Sequence, residues 1–351
     1  MENDVTDQDR DYANAGVVCN TVQAGNKQFC GTSPRNLIWC FGGLTAGCLT
    51  EQQERHLLDA LSKPDLQRFF CDVAQTHQSA LLLEYDGTLA PFRKNRYKAL
   101  PYPGVTLLLK EIMATGHTRV ALITGRCAYE LIPLLDIFPH PEIWGTHGLE
   151  RLRTDGSHEM QPIDHCTLEA LSAADEWVER LKLHKCAEHK PGSLAVHWRG
   201  LADEEVREIR SKVLLGWLSI VDRACLRLEQ FDGGVEMRMA DPNKGDVVRT
   251  ILTEMDVDDA PVAYLGNDES DEAAFHMLQN RGLCVLVRPQ RRETAANLWL
   301  RPPVQLLAFL RDWLAACQAR SCYPPARGKP QETGHEKPVR EKRGKSGSRG
   351  L

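Results

Sequence analysis

Short apolar runs alternate with amphipathic segments along most of this chain, and the alternation predicts its architecture. A continuous apolar run at 80–83 is typical of a strand that is buried on both faces of a parallel sheet. The elements predicted after it are a helix at 105–113, a strand at 119–123, a helix at 129–137 and a strand at 142–144. Alternation of this kind predicts a Rossmann-like α/β core with helices on both faces of a parallel sheet.

The pattern changes between residues 151 and 239. Two helical stripes flank a strictly alternating strand at 193–199, and two further alternating runs at 226–230 and 235–239 form a predicted hairpin. Helices mixed with antiparallel strands indicate a smaller α+β domain inserted into the parallel one. The parallel pattern then resumes, with helices predicted at 244–255, 271–278 and 304–313 and strands at 261–265 and 283–287.

These shifts predict a core made of residues 51–150 and 240–320 and an inserted cap at 151–239. Two helical segments are predicted within 51–75, at the start of the core. Residues 1–50 show no sustained periodicity and are predicted to be a poorly ordered extension. Residues 325–351 carry eight Lys and Arg against three Glu and no apolar stripe, so this basic tail is predicted to be disordered.

Composition narrows the class of protein. The 351 residues are 42 % hydrophobic and 26 % charged, as in ordinary globular proteins, and the net charge of −5 argues against general nucleic-acid binding. No apolar run reaches the length of a membrane span. The twelve cysteines contain no CxxC pair and fit free thiols of a reducing compartment. We therefore predict a cytoplasmic protein with neither a nucleic-acid nor a membrane partner.

Candidate chemistry lies where predicted parallel strands end. Glu84 and Asp86 follow the first strand, Thr124 follows the second, Lys244 opens a helix, and an acidic loop at 266–271 follows a later strand. Because the carboxyl ends of parallel strands meet at one edge of a sheet, we expect these groups to lie together. Such a set suits phosphoryl transfer, in which a carboxylate attacks phosphorus and Mg²⁺ held by oxygen ligands neutralises the phosphate.

Five segments in this order resemble the trehalose-6-phosphate phosphatase family of the haloacid dehalogenase (HAD) superfamily. They read YDGTLAPF at 85–92, TGR at 124–126, THGLE at 146–150, VHWR at 196–199 and DESDEAAF at 268–275. The resemblance covers roughly residues 78–315. It implies a HAD core with an inserted α+β cap, and an enzyme that hydrolyses trehalose 6-phosphate to trehalose and phosphate with Mg²⁺.

The resemblance also implies roles for individual side chains. Glu84 stands at the position of the nucleophile, and Asp86 at that of the general acid and base. Phosphate binding is implied for Thr124, Gly125 and Lys244, sugar binding for His147, Glu150, Glu188, Lys190 and Glu236, and metal binding for Glu84, Asp86, Asn267 and Asp271. The competing interpretation is a solvated charged strand for Glu188 and Lys190, and helix capping for Thr124.

Two positions depart from the family pattern, because Glu84 and Asn267 stand where the family has Asp. The extra methylene of Glu displaces the attacking oxygen by about 1 Å, and a misplacement of that size lowers a rate by roughly a hundredfold. The amide of Asn267 removes one negative charge from the metal site. Two alternatives therefore stay open: a weak or inactive family member that binds a sugar phosphate, and a phosphatase for another phosphorylated sugar.

Overall fold

The computed structural model describes residues 63–321, apart from 222–225, 232 and 256–258. The predicted extension at 1–50, the first helix predicted within 51–75 and the basic tail at 325–351 lie outside the described residues. The second of those helices is present as α1 (Lys63–Gln75). Its predicted apolar face packs on the core through Leu66, Phe69, Phe70 and Val73.

The described elements follow the predicted order. The further helices are α2 (Val105–Ala114), α3 (Ala128–Leu135), α4 (His165–Arg180), α5 (Asp203–Val221), α6 (Lys244–Met255), α7 (Glu272–Leu278) and α8 (Val304–Ser321). The strands are β1 (Ser79–Leu83), β2 (Thr118–Ile123), β3 (Glu142–Gly145), β4 (Glu150–Leu152), β5 (His158–Met160), β6 (Ala187–Lys190), β7 (Ser193–His197), β8 (Leu226–Phe231), β9 (Gly234–Met239), β10 (Val262–Gly266), β11 (Leu283–Val287) and β12 (Leu298–Leu300).

The large sheet has β1 near its middle. Its strand order is β12-β11-β10-β1-β2-β3-β4-β5, and neighbours run parallel from β12 to β3. All five residues of β1 are buried, as the apolar run predicted. Because β1 pairs with both β2 and β10, the residues that follow these three strands meet at one edge.

The two faces of this sheet bury separate apolar clusters, and this confirms the predicted α/β core. Leu81 and Leu83 point into one cluster, which includes Trp313 of α8 and Leu109 of α2. The intervening Leu82 points into the other cluster, together with side chains of α6 and α7 such as Val248 and Phe275. Successive strand residues point to opposite faces, so β1 supplies both clusters and must be apolar throughout.

Strands β4 and β5 correct the expected extent of the core sheet. Most of β4 and all of β5 lie within the range predicted as cap, 151–239. In the structure β4 pairs antiparallel with β3, and β5 pairs antiparallel with β4. The sheet therefore continues to Met160. Three-residue strands leave too little periodicity to be recognised, because alternation needs about four residues or more.

A second sheet of order β6-β7-β9-β8 is antiparallel throughout. Helices α4 and α5 cover it, with Val178 and Trp217 fully buried against Leu194 and Val196 of β7. We call this part the cap, and its mixed α+β character is as predicted. The division of the chain into domains stays a prediction. None of the described helices has the length and apolarity that a bilayer crossing requires.

Candidate active site

Lys244 joins the two acidic segments of the site. It is the first residue of α6, it is 2 % exposed, and its Nζ donates to Glu84 Oε2 and, over 2.7 Å, to Asp271 Oδ1. Burial alone would lower the pKa of Lys244, but the two carboxylates raise it, so the ammonium stays charged. Burial raises the pKa of Glu84 to about 7, although Lys244 favours its ionised form.

Asp271 organises the loop after β10. Its Oδ1 also accepts from the Tyr264 hydroxyl over 2.7 Å, and its Oδ2 accepts from the backbone N–H groups of Asn267 and Asp268 over 2.8 and 2.9 Å. Burial by itself would raise the pKa of Asp271, but Lys244 and these hydrogen bonds lower it. Both carboxylate oxygens are therefore occupied by protein donors.

The loops after β1 and β10 touch at a glycine. Gly87 has a φ of 80°, and a Cβ atom there would lie 2.3 Å from Asn267 Nδ2. The position needs Gly both for its left-handed backbone and for this close approach. Thr88 Oγ1 donates to Asn267 Oδ1 over 3.1 Å, so the amide oxygen faces the first loop.

Both oxygens of the Asp86 carboxylate bind the guanidinium of Arg126, which lies in the loop after β2. Arg126 Nε and Nη2 lie 2.5 and 2.6 Å from Asp86 Oδ2 and Oδ1, which makes a bidentate pair. Arg126 is 5 % exposed. Burial disfavours its charge, but the hydrogen bonds to Asp86 outweigh burial and raise the pKa of Arg126.

The loop after β2 brings Thr124 and Gly125 to the same edge. Thr124 is fully buried, and its Oγ1 accepts from Arg126 N over 3.3 Å, which stabilises the local turn. A Cβ atom on Gly125 would lie 2.7 Å from His147 Nε2, so the absence of a side chain lets the imidazole pack there. Thr124 and Gly125 follow β2, so they lie at the edge of the sheet that the parallel pattern predicted.

Glu236 is the centre of the cap side of the site. Its Oε1 lies 2.6 Å from both Lys190 Nζ and Ser193 Oγ, and its Oε2 lies 3.2 Å from His147 Nε2. Burial alone would raise the pKa of Glu236, but Lys190 and His147 lower it well below its usual range. Burial lowers the pKa of His147 although Glu236 favours its charge. Lys190 has a side chain only 7 % exposed, which contradicts the solvated-strand interpretation for this residue.

Glu188 is paired across the boundary between cap and core. Arg96, in a 3₁₀ turn at Arg96–Lys98 after the first loop, contacts Glu188 as well as Glu130 of α3. His197 Nε2 lies 2.6 Å from Glu188 Oε2. Glu188 therefore faces the core, and its side chain is only 16 % exposed, which contradicts the solvated-strand interpretation for this residue.

The structure does not bring Glu150 into this group. Its Oε1 accepts from Ala128 N over 2.8 Å and from Thr146 Oγ1 over 3.1 Å, and its Oε2 lies 2.8 Å from His158 Nε2. The carboxylate thus satisfies a backbone donor in the first turn of α3 and holds β4 to β5. Both oxygens of Glu150 are bound within the core, and the sugar-binding role that the resemblance implies for it stays a prediction.

Two arginines of the site had no predicted role. Arg126 lies in the TGR segment, and a cation two residues after Thr124 at a strand end was a usable signal. Arg96 belongs to the basic run at 93–98, whose contact with the cap depends on tertiary packing.

The fold is an α/β sheet that carries, at its carboxyl edge, a group of carboxylates, a hydroxyl and an ammonium of the kinds that suit phosphoryl transfer. The model of the trehalose-phosphatase family matches residues 82–300. This match covers more than half of the chain, and the chain therefore belongs to the trehalose-phosphatase family of phosphoric monoester hydrolases.

Individual relatives agree with this assignment. The chain is 26 % identical over 313 residues to trehalose-phosphate phosphatase of Mycobacterium leprae, and the aligned region covers 84 % of this chain and 70 % of the relative. It is 28 % identical over 264 residues to that of Mycobacterium marinum, covering 72 % of this chain and 64 % of the relative. The fold is similar to the C-terminal domain of C. albicans trehalose-6-phosphate phosphatase, with a TM-score of 0.63 and 18 % identity over 74 % of this chain and 98 % of that one.

Proposed function

We propose that this protein hydrolyses a sugar phosphate, trehalose 6-phosphate, to trehalose and phosphate. One observation carries the proposal. Lys244 contacts both Glu84 and Asp271, and Asp86 lies two residues after Glu84, at the edge of the large sheet that faces the cap. The match to the trehalose-phosphatase family supports the choice of substrate. Glu188, Lys190 and Glu236 of the cap, with His147, are the groups proposed to meet the glucose rings.

The proposed reaction has two displacements. A carboxylate oxygen of Glu84 bonds to phosphorus, the bond from phosphorus to the sugar oxygen breaks, and Asp86 protonates the leaving oxygen. In the second step Asp86 takes a proton from water, the water oxygen bonds to phosphorus, and the bond to Glu84 breaks. Lys244 and the loop of Thr124 and Gly125 are proposed to hold the other phosphoryl oxygens.

Enzymes of the HAD superfamily generally use Mg²⁺, and the resemblance implies a site made of Glu84, Asp86, Asn267 and Asp271. The donors present do not fit a divalent cation. Asp86 holds Arg126 with both oxygens, Asp271 accepts four hydrogen bonds, and Asn267 contributes a neutral amide. The described residues contain no group of three or more His, Cys, Asp or Glu suited to a metal ion. The Mg²⁺ requirement therefore stays a prediction, and no step above depends on it.

A second candidate function is binding of a sugar phosphate with little or no turnover. The longer Glu84 carboxylate, held by Lys244, and the amide of Asn267 favour it. A phosphatase for another phosphorylated sugar is the third possibility. A cytoplasmic location and the absence of nucleic-acid and membrane partners stay predictions from composition.

Phosphate release from a panel of sugar phosphates, with and without Mg²⁺, tests the proposal. We expect release from trehalose 6-phosphate that Asp86→Asn abolishes and Asp155→Asn, a matched change on an exposed turn, leaves intact. Binding of trehalose 6-phosphate without release would favour the second candidate. Release from a different sugar phosphate alone would favour the third.

A further inference from the structure

One nitrogen of Arg126 has no hydrogen-bond partner within the part of the chain that the structure describes. Its Nε and Nη2 are used by Asp86, but Nη1 is buried and bonds to no group among the described residues. Leaving a buried donor of a charged group without a hydrogen bond is costly. A guanidinium with a free N–H at this edge of the sheet is suited to an anionic oxygen, because Arg binds phosphate with directed hydrogen bonds.

Two arginines donate to backbone carbonyl groups of the loop after β10. Arg288 Nη1 donates to the carbonyl oxygen of Asn267 over 3.3 Å, and Arg292 Nη2 donates to that of Asp268 over 2.6 Å. Arg292 also pairs with Glu272, whereas Arg288 Nε is buried with no partner in the described part of the chain. Because Asn267 is an amide, this loop presents less negative charge to the site than it would with Asp at position 267.

Lys244 supplies a second positive charge, and it contacts both Glu84 and Asp271. We propose that this site binds the phosphoryl group of its substrate without a divalent cation, with Arg126 and Lys244 supplying the positive charge that a metal ion would otherwise supply. The bidentate contact with Asp86 orients the Arg126 guanidinium before phosphate arrives, and Nη1 then donates to a phosphoryl oxygen. This assignment rests on the proposed phosphatase function, since it concerns the same phosphoryl group.

Calorimetric titration of the full chain with inorganic phosphate, in a metal chelator and then in excess Mg²⁺, tests the proposal. We expect the two affinities to agree within about twofold. Arg126→Gln should weaken binding at least about tenfold, the equivalent of about 1.4 kcal/mol for a lost charge-assisted hydrogen bond. Arg93→Gln, the same change of charge on the exposed run that follows the first loop, should leave the affinity within about twofold.

A second variant keeps the test decisive if Arg126→Gln does not fold. Asp86→Asn leaves both proposed phosphate donors, Arg126 and Lys244, in place, so phosphate binding in chelator should persist. In a site that depends on a metal ion, loss of this carboxylate would leave binding in chelator absent.

Phosphate binding that appears only with Mg²⁺, or an Arg126→Gln variant that binds like the parent, would overturn the assignment. Absence of binding under both conditions would overturn it as well. The phosphatase assay is independent of these results. Release of phosphate from trehalose 6-phosphate together with Mg²⁺-only binding would retain the proposed function and reject this inference. Binding in chelator without turnover of any substrate would retain this inference and reject the proposed function.

Discussion

Lys190 of the cap donates a hydrogen bond of 2.9 Å to the carbonyl oxygen of Gly125, in the loop after β2 of the core. The same Nζ lies 2.6 Å from Glu236 Oε1. One side chain thus connects the group proposed to bind sugar with the loop proposed to bind phosphate. Correct placement of the cap is therefore coupled to the phosphoryl site.

Removing one partner of this buried pair should destabilise the protein. Lys190→Met leaves the Glu236 carboxylate buried with only Ser193 and His147, so we expect the free energy of unfolding to fall by about 3–5 kcal/mol. The double change Lys190→Met with Glu236→Gln should cost clearly less than the sum of the single changes. Urea denaturation measures all three, with Lys185→Met on the exposed surface as the control. Additive losses would contradict a direct pair.

Arg96 should hold the cap against the core. It pairs with Glu188 of the cap and with Glu130 of the core, so Arg96→Ala removes an ionic link between them. We expect the backbone amides of Ala187–Lys190 to exchange hydrogen several times faster in this variant, because the cap opens more often. Lys98→Ala, on the same 3₁₀ turn but exposed, should not change exchange there. Equal exchange in parent and Arg96→Ala would show that the cap is held by other contacts.

The two departures from the family pattern should be reversible. Glu84→Asp with Asn267→Asp restores both the shorter carboxylate and the second anion, so we expect Mg²⁺-dependent phosphate release to rise at least about tenfold. The single changes should be non-additive, because both act on one phosphoryl group. Without Mg²⁺ the double variant should be less stable than the parent, since like charges crowd at the site.

The parent and the double variant together separate the candidate functions. Activity confined to the double variant would indicate a former enzyme that now binds its ligand. Activity in the parent that Asp86→Asn abolishes would establish a working glutamate site. No release from any sugar phosphate by either protein would exclude the phosphatase.

Glu254 should make stability depend on acid pH. Hydrogen bonds from Arg151 and Arg119 outweigh partial burial and lower the pKa of Glu254 from 4.5 to about 2. A lowered pKa in the folded state gives stability that is present above pH 4.5 and lost as the pH falls toward 2. Because 34 % of its side chain is exposed, we expect about 1–2 kcal/mol.

Denaturant unfolding of Glu254→Gln between pH 7 and pH 2 measures this contribution. The variant should be less stable than the parent near neutral pH, and the difference should shrink as the pH falls through the range between 4.5 and 2. Glu204→Gln, at an exposed position of α5, serves as the control. A difference that is constant with pH would show that the loss comes from packing rather than from charge.

The sequence by itself determined the longer strands and helices of core and cap, and the edge of the sheet where the candidate site residues lie. The apolar run before Glu84 predicts a central parallel strand, and the observed β1 is buried throughout. Because parallel strands end at a common edge, local pattern sufficed to bring Glu84, Lys244 and Asp271 together. Each segment that resembles the family is a short contiguous run at or near the end of a strand. These segments could therefore be read from the sequence without the structure.

Tertiary structure alone decided how the charged side chains are paired. Nothing local indicates that Glu150 binds the first turn of α3. Nothing local indicates either that Arg126 holds Asp86 with two of its nitrogens and leaves the third without a partner among the described residues. Periodicity reports which face of an element is buried, whereas a salt bridge depends on strand neighbours, side-chain direction and distances of a few ångströms. The predicted edge of the sheet was therefore correct, but its balance of positive and negative charge emerged only from the packing.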